Sequence, residues 1–527
     1  MKKDKSSKII YIFIIIFLMI SFGFPILSLI NMVDTTEITQ IITSNQFIEP
    51  LKNSMFISSI TTIITIIIAY IVSYGLNKAH FKHKNTIILL LSLTMLIPSI
   101  SHGVGLINIF GQAGVLYNLF GINISIYGPI GIVLGSFLYA FPIAFVIIND
   151  GFKYIQTHLY ESANVLGLTK FQQFKNITLY YMKRPLLSAS FAIFTMVFTD
   201  YGVPMILGGT YQTLPVYLYR EVIGLMDYSK GAIIGIVLLC PALVSFIFDL
   251  FNKEENSQNK IPKNTESKKD KKKYIFSKTV IYSIIVFELI LIISYIVLAF
   301  YNNYPVDKSF SLVHFANVFD TKSISFLKNS LIIAISTSIL GTIITYITAY
   351  VTSRSNMKYK KILHILSIST LAVPGMVLGI SFIISYKGTF IYNTMFILIL
   401  VNIIHFFATP YLLAYNSLSK INKNYESIGM IMGVKKSKIV KDIIIPNTKK
   451  TILEMFSYIF INSMITISAI TFLYSYDNMP FSLLINQYDG QMMLEEAAIV
   501  SIVILGINII LKIIILKINQ RGETNDN

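Results

Sequence analysis

The chain has 527 residues, of which 54% are hydrophobic and 13% are charged, and its mean hydropathy is +0.66. Soluble domains carry about 25% charged residues, so this composition excludes an ordinary soluble protein and predicts a polytopic membrane protein. The single cysteine, Cys240, excludes an internal disulfide and a cysteine metal cluster.

Apolar runs of about 20 residues, the length needed to cross ~30 Å of hydrocarbon, follow one another along the chain. The first run has a basic start like that of a signal peptide, but its apolar body is longer and no cleavage site follows, so we predict a retained helix. The sequence therefore predicts twelve transmembrane helices. Their runs begin near residues 9, 53, 87, 127, 186, 231, 279, 329, 363, 392, 455 and 497.

The connections between the runs alternate in charge. Lysines precede the first run, and the acidic residues Asp34, Glu37 and Glu49 follow it. Continuing the count puts the lysine-rich connections on one side of the membrane together with both termini, and the positive-inside rule makes that side cytoplasmic. The net charge of +17 thus has a topological cause, and we expect membrane lipid but no nucleic acid as a partner.

A polar segment divides the chain into two halves. Residues 253–278 are rich in Lys, Glu, Asn and Ser and cannot bury a core, which predicts a cytoplasmic linker. The linker separates a first six-span half, residues 1–252, from a second, residues 279–527.

The two halves repeat each other's motifs in the same order. Each half has an even number of spans, so both enter the membrane from the same side and form parallel repeats around an axis along the membrane normal. The predicted fold is therefore an all-α polytopic membrane protein whose twelve helices form two parallel six-helix repeats. The matching motifs include residues 51–54 with 327–330 (Leu-Lys-Asn-Ser in both), Pro98 with Pro374, and Gly103 with Gly379.

A spaced pattern occurs once in each half, in a predicted cytoplasmic connection. We call residues 161–179 the first repeat loop and residues 426–446 the second repeat loop. A single copy is equally compatible with an amphipathic helix on the bilayer surface, but two copies with one spacing favour a docking site for a partner. The pattern residues are Glu161, Ser162, Ala163, Gly167, Ile177 and Leu179 in the first loop, and Glu426, Ser427, Gly433, Ile443, Ile445 and Pro446 in the second.

This pattern resembles the E-A-A-x3-G-x9-I-x-L-P loop of binding-protein-dependent ABC importer permeases, and with the flanking motifs the resemblance extends over nearly the whole chain. In that family the loops form coupling helices that insert into two ATP-binding subunits. The resemblance implies the type I importer fold, two ATP-binding subunits and an extracytoplasmic substrate-binding protein as partners, and a location in the cytoplasmic membrane of a bacterium. Ser162 and Tyr180 depart from the pattern in the first loop, and Glu426 lies one position early in the second.

Two further stretches are similar to fused permeases of the ferric iron, aminoethylphosphonate and thiamine group. One runs from Asp200 through Gly202 and Pro204 to a Gly-Gly pair and Leu214-Pro215, and the other surrounds Gly111 and Gly114. The resemblance makes ferric iron the first choice of cargo, with 2-aminoethylphosphonate, thiamine or a polyamine as alternatives.

Ionisable residues in or near the spans are functional candidates, because a charge at mid-bilayer costs about 3 kcal/mol or more. They are His102, Asp200, Glu288 and His405. We predict that Asp200, with Gly202 and Pro204, faces the pathway or contacts the binding protein. The alternative role for Asp200 is to end a helix at the outer surface.

The sequence contains no Gly-x4-Gly-Lys-Ser/Thr loop for ATP phosphates and no zinc-protease or serine-hydrolase motif. We therefore expect no catalytic residue, resident metal or cofactor, and ATP hydrolysis by partner subunits. A twelve-span secondary transporter driven by an ion gradient is the alternative class, but it needs more ionisable groups within the membrane than this chain has. A polytopic membrane enzyme or sensor would not require duplicated loops.

Overall fold

The computed structural model describes residues 5–78, 81–111, 114–121, 125–153, 155–251, 275–355, 357 and 359–525. Helices dominate these residues, because backbone polar groups in a bilayer must be satisfied within the protein. The main helices of the first half are Lys5–Leu18 continuing through Met19–Gly23 and Phe24–Asn31, Asn45–Lys78, Ser99–Phe110, Pro129–Lys153, Tyr180–Phe198 and Tyr228–Phe251. Those of the second half are Ile275–Ala299, Thr321–Arg354, Lys360–Ser369, Gly375–Tyr386, Met395–His405, Ala408–Lys420, Lys449–Ile465 and Leu494–Asn525.

The helices confirm a polytopic all-α membrane protein, but they do not confirm the predicted number of spans. Within the described residues, eight helices are long and apolar enough to cross a membrane, or ten if each of two bent pairs is one span. The two other predicted spans correspond to Tyr180–Phe198 and Lys449–Ile465, where the chain leaves the helix at Thr199 and Thr466. The count of twelve therefore stays a prediction.

Short elements connect these helices. The strands Tyr301–Asn303 and Asp307–Phe310 form an antiparallel hairpin, an exception to the all-α prediction. The short helices are Ile38–Ile42, Lys84–Leu90, Thr94–Leu96, Val115–Phe120, Thr157–Val165, Lys170–Gln173, Phe174–Leu179, Gly202–Leu207, Leu214–Tyr219, Arg220–Gly224, Val313–Val318, Thr370–Ala372, Asn424–Ile431, Lys436–Ile439, Val440–Ile444, Ile445–Asn447, Phe481–Leu483 and Leu484–Gly490.

The first helix of each half packs against the other half. In the first half's opening helix, the Tyr11 hydroxyl donates to the Tyr359 carbonyl at 3.1 Å, and the Ile20 carbonyl accepts from the Tyr386 hydroxyl at 2.7 Å. We call this arrangement the helix exchange. These contacts hold the two halves together in addition to the covalent connection between them.

The helix Ile275–Ala299 makes the reciprocal contact with the first half. Its Tyr295 hydroxyl donates to the Ser101 carbonyl at 2.5 Å, and its Ser294 carbonyl accepts from the Asn108 amide at 2.8 Å. A Cβ at Gly105 would lie only 2.7 Å from the Leu291 side chain, so close approach requires glycine there.

The repeated Leu-Lys-Asn-Ser motif anchors the segment that follows each half's fifth helix. The Ser54 hydroxyl accepts from the Leu214 N–H at 2.8 Å, and the Ser330 hydroxyl accepts from the Phe481 N–H at 2.7 Å. The preceding asparagines, Asn53 and Asn329, donate to carbonyls of the same segments. These contacts satisfy backbone groups of non-helical chain inside the protein, as a membrane interior requires.

Candidate functional site: two repeat loops and a central cavity

Both repeat loops bend at their central glycine in the same way. Gly167 and Gly433 have φ of +73° and +70°, with open space where a Cβ would lie. The residue after each glycine donates a hydrogen bond back to the preceding short helix. The Leu168 N–H donates to the Ala163 carbonyl at 2.9 Å, and the Val434 N–H donates to the Gly429 carbonyl at 2.8 Å. This is the Schellman arrangement, in which glycine ends a helix in the left-handed conformation. The glycines are thus needed for a sharp bend and not for close packing.

The two short helices of each loop are joined by different chemistry. In the first loop, the buried Gln173 side-chain amide donates to Asn164 Oδ1 and to the Leu168 carbonyl, both at 2.8 Å. In the second loop, the buried Ile439 side chain lies against Gly429, where a Cβ would collide with it. The same helical hairpin is therefore held by hydrogen bonds in one half and by apolar packing in the other.

Each hairpin leaves large apolar side chains exposed at matching positions just before the glycine. Val165 and Leu166 are 88% and 77% exposed, and Ile431 and Met432 are 86% and 74% exposed. Paired apolar side chains at the tip of a polar loop are typical of a surface that a partner covers.

The structure separates the other predicted loop residues by burial. Ala163 is buried, Ile177 and Ile443 are half-buried, and the carboxylate of Glu426 is largely covered. Segments of π-helix, Phe174–Leu179 and Val440–Ile444, contain Ile177 and Leu179 of the first pattern and Ile443 of the second, and such segments are frequent at functional sites. The exposed pattern residues are Glu161, Ser162, Leu179, Ser427, Ile445 and Pro446.

Sequence reasoning missed one residue at this site. The Arg354 guanidinium, with its side chain 1% exposed, forms an ion pair with Glu426. Its signal in the sequence is weak: Arg354 ends the helix Thr321–Arg354 as Lys78 ends the helix Asn45–Lys78.

A cavity of about 360 Å³ lies between the two halves. Several helices end beside this cavity, and polar side chains at these helix ends line it. Its polar lining residues are Ser99, Tyr139, Thr195, Thr199, Asp200 and Ser245 from the first half, and Thr370, His405, Tyr458, Asn462, Thr466 and Ser468 from the second.

Asp200 lies on the wall of this central cavity. It is only 8% exposed. Its carboxylate accepts from the N–H groups of Gly202 at 3.4 Å and Val203 at 3.0 Å, at the start of the helix Gly202–Leu207. Gly202 also lines the cavity, whereas Pro204 is buried within the short helix.

In each half, a serine hydroxyl packs against a glycine at the wall of the cavity, but the positions of the serine and the glycine are interchanged between the halves. In the first half a Cβ at Gly202 would collide with the Ser99 hydroxyl, and in the second half a Cβ at Gly375 would collide with the Ser468 hydroxyl. The residue that corresponds to Asp200 in the second half is Thr466, which also lines the cavity. The shape of the site is therefore repeated, but its charge is not.

The three other ionisable residues that the sequence placed in or near the spans, His102, His405 and Glu288, are incompletely hydrogen-bonded. His102 Nδ1 lies 3.1 Å from the Ser99 carbonyl, but its Nε2 has no partner. His405 Nδ1 and both carboxylate oxygens of Glu288 also lack partners. Among the residues that the structure describes, no three His, Cys, Asp or Glu side chains are grouped so that they could hold a metal ion.

A membrane protein with duplicated helical hairpins and a polar cavity between two repeated halves has the form of a permease. Comparison with protein families agrees: the family of the binding-protein-dependent transport system inner membrane component matches residues 75–254 and again residues 338–522. The chain belongs to this family. It is thus a fused permease of an ABC importer, a multi-pass inner-membrane subunit that works with ATP-binding and substrate-binding partners and is not itself an enzyme.

Relatives with different cargoes are similar to the chain. It is 24% identical over 461 residues to the ferric transport system permease protein FbpB of Actinobacillus pleuropneumoniae. This alignment covers 84% of the present chain and 67% of FbpB. It is 25% identical over 200 residues to a spermidine/putrescine transport system permease protein PotC homolog of Mycoplasma pneumoniae, covering 38% and 68%. It is 27% identical over 194 residues to the thiamine transport system permease protein ThiP of Haemophilus influenzae, covering 36% of each chain.

Proposed function

We propose that the chain is the whole transmembrane pathway of an importer in which two ATP-binding subunits dock at the first and second repeat loops. The supporting observation is the identical bend at Gly167 and Gly433, each with two exposed apolar side chains before it. Both termini and both loops then lie on the cytoplasmic side, where ATP is available, and the binding protein delivers cargo at the opposite face.

The pathway runs through the central cavity. The halves meet there at broken helices, so movement of one half against the other changes access to the cavity without breaking the helix ladders. Closure of the ATP-binding subunits would move the two repeat loops together and rock the halves between inward- and outward-facing states.

The cargo that we propose is ferric iron. Asp200 is the one acidic side chain among the lining residues described, and no Lys or Arg is among them. A cleft with one sign of charge and low-dielectric walls concentrates ions of the opposite sign, so the cavity favours a cation over an oxyanion.

The name of the FbpB relative, which aligns over most of this chain, supports iron among the cations. Thiamine and a polyamine are cationic alternatives consistent with the same cavity. 2-Aminoethylphosphonate is less compatible with it, because its phosphonate would face a carboxylate.

Reconstitution tests this proposal. The permease would be purified with an ATP-binding subunit and a binding protein from the same organism, placed in liposomes, and assayed for ATP hydrolysis and uptake. We expect binding protein loaded with ferric iron to stimulate both activities, and binding protein without iron to stimulate neither. Stimulation by thiamine or spermidine alone would reassign the cargo, and uptake by the permease without nucleotide or companion subunits would contradict the proposal.

A further inference from the structure

The two repeat loops are attached to the membrane helices by different contacts. The helices Asn45–Lys78 and Thr321–Arg354 are matching 34-residue elements, and each ends in a basic residue beside its repeat loop. The partners of Lys78 and Arg354 differ, although they occupy equivalent places.

Arg354 uses all five of its N–H donors. Its Nε and Nη2 donate to the two carboxylate oxygens of Glu426. Nη1 donates to the carbonyls of Leu418 at 2.8 Å and Ile421 at 2.7 Å, and Nη2 also donates to the Asn422 carbonyl at 3.1 Å. A guanidinium has five N–H donors in a rigid fork, so this buried side chain is fully satisfied and has one orientation.

In the first half an aromatic ring takes the place of the carboxylate. Tyr160 precedes Gly167 by the same number of residues as Glu426 precedes Gly433. The Lys78 ammonium lies 3.6 Å from the centre of the Tyr160 ring, and the Tyr160 hydroxyl is 2.8 Å from Thr178 Oγ1. Glu161, the acid of the first loop's pattern, is exposed and makes no ion pair among the described residues.

We propose that Arg354 is a positioning residue that fastens the second repeat loop to the helix Thr321–Arg354 through Glu426. This inference rests on the proposed docking of ATP-binding subunits. It removes Glu426 from the docking surface, because both of its oxygens are engaged within the chain. The second loop then contacts its ATP-binding subunit through the exposed Ile428, Ile431 and Met432, and an apolar groove on that subunit is the matching chemistry.

The consequence concerns how the second loop transmits movement. A bidentate, charge-assisted pair with three further carbonyl contacts fixes direction as well as distance. The second hairpin therefore moves with the helix Thr321–Arg354 as one body.

Hydrogen–deuterium exchange on the permease alone tests this fastening without any ATP-binding subunit. We expect Glu426→Gln and Arg354→Lys each to speed amide exchange over residues 424–446 by about tenfold, and the double variant to add little to either. The control is Glu454→Gln, which neutralises an exposed carboxylate on the helix Lys449–Ile465 just beyond the loop and should leave exchange unchanged. Unchanged exchange in both test variants would overturn the proposal.

Titration of the ATP-binding subunit against the same variants tests the consequence for docking. If Glu426 acts only through Arg354, Glu426→Gln should weaken binding in the parent protein and have no further effect in the Arg354→Lys background. An equal loss in both backgrounds would identify Glu426 as a direct contact and overturn the inference. Failure of the parent permease to bind the subunit would count against the proposed function, while the exchange result would still decide the fastening.

Discussion

Asp200 gives the central cavity its charge. Its carboxylate receives two backbone N–H groups at the start of a short helix, so its position is fixed by the local fold. The same contacts cap the start of the helix Gly202–Leu207, so one side chain both holds this short helix and lines the cavity.

Replacing Asp200 with Asn should reduce uptake of a cationic cargo by about tenfold, which corresponds to about 1.4 kcal/mol. The amide keeps the size of the side chain and one acceptor oxygen but removes the charge that attracts the cation. The measurement is the initial uptake rate in proteoliposomes at fixed ATP. Glu49→Gln, which neutralises an exposed carboxylate near the start of the helix Asn45–Lys78, is the matched control.

An uptake rate within twofold of the parent protein would restrict Asp200 to capping. Unchanged ATP-subunit binding in the same variant would establish that the coupling surfaces remain intact. A comparable loss in Glu49→Gln would indicate a general effect of surface charge instead.

At the scale of elements, the repeat loops depend on a left-handed residue between two short helices. Gly433 adopts φ +70° with no neighbouring atom within 4 Å of the place that a Cβ would occupy, so the backbone conformation alone requires glycine. A left-handed conformation costs other residues about 1–2 kcal/mol, and β-branched residues are especially poor in it.

Replacing Gly433 with Val should therefore weaken binding of the ATP-binding subunit by about tenfold while the permease still inserts in the membrane. Co-purification followed by a binding titration measures the loss. Gly506→Ala provides the control, because Gly506 lies in open space within the helix Leu494–Asn525 without a positive φ. Undiminished binding in the Val variant would argue against docking at the second loop.

The hairpins could be predicted from sequence because their determinants are local: a glycine lies ten residues before an isoleucine in both loops, and an acidic residue lies six or seven residues before that glycine. The pairing of Arg354 with Glu426 could not, since 72 residues separate them and no pattern of nearby residues connects them. A helix end beside Asp200 was one alternative from the sequence, but the matching end at Thr466 was missed. Thr466 lies in an apolar run, and hydropathy measures whether a segment prefers lipid without measuring where its helix ends.

At the scale of the whole molecule, the helix exchange makes each half incomplete alone. The helix Ile275–Ala299 buries Leu291 and Tyr295 against Gly105 of the first half, and the opening helix of the first half contacts Tyr359 and Tyr386. The internal repeats that sequence revealed could not predict this exchange, because similarity between halves does not specify which half a terminal helix packs against.

Expressing the chain as two separate polypeptides, divided within residues 253–274, should give halves that co-purify when produced together and are degraded when produced singly. The cause is the buried polar contacts of the exchanged helices, which would face lipid in an isolated half. Affinity capture of a tag on one half measures the association. Gly105→Val in the first half should abolish capture, because its side chain would occupy the place of Leu291, whereas Gly506→Ala should not.

Stable isolated halves that fail to associate would contradict this account. Capture that survives Gly105→Val would mean that the central cavity walls hold the halves together without the exchanged helices.

The exchanged helices also impose an order on biogenesis. The opening helix leaves the ribosome hundreds of residues before the segments around Tyr359 and Tyr386 that it finally contacts. During that interval the opening helix lies in the bilayer without the hydrogen bonds to Tyr359 and Tyr386. A covalent connection between the halves raises the effective concentration of the second half once it is synthesised. Fusion in a single polypeptide therefore speeds the association of the halves and pairs each first half with one second half.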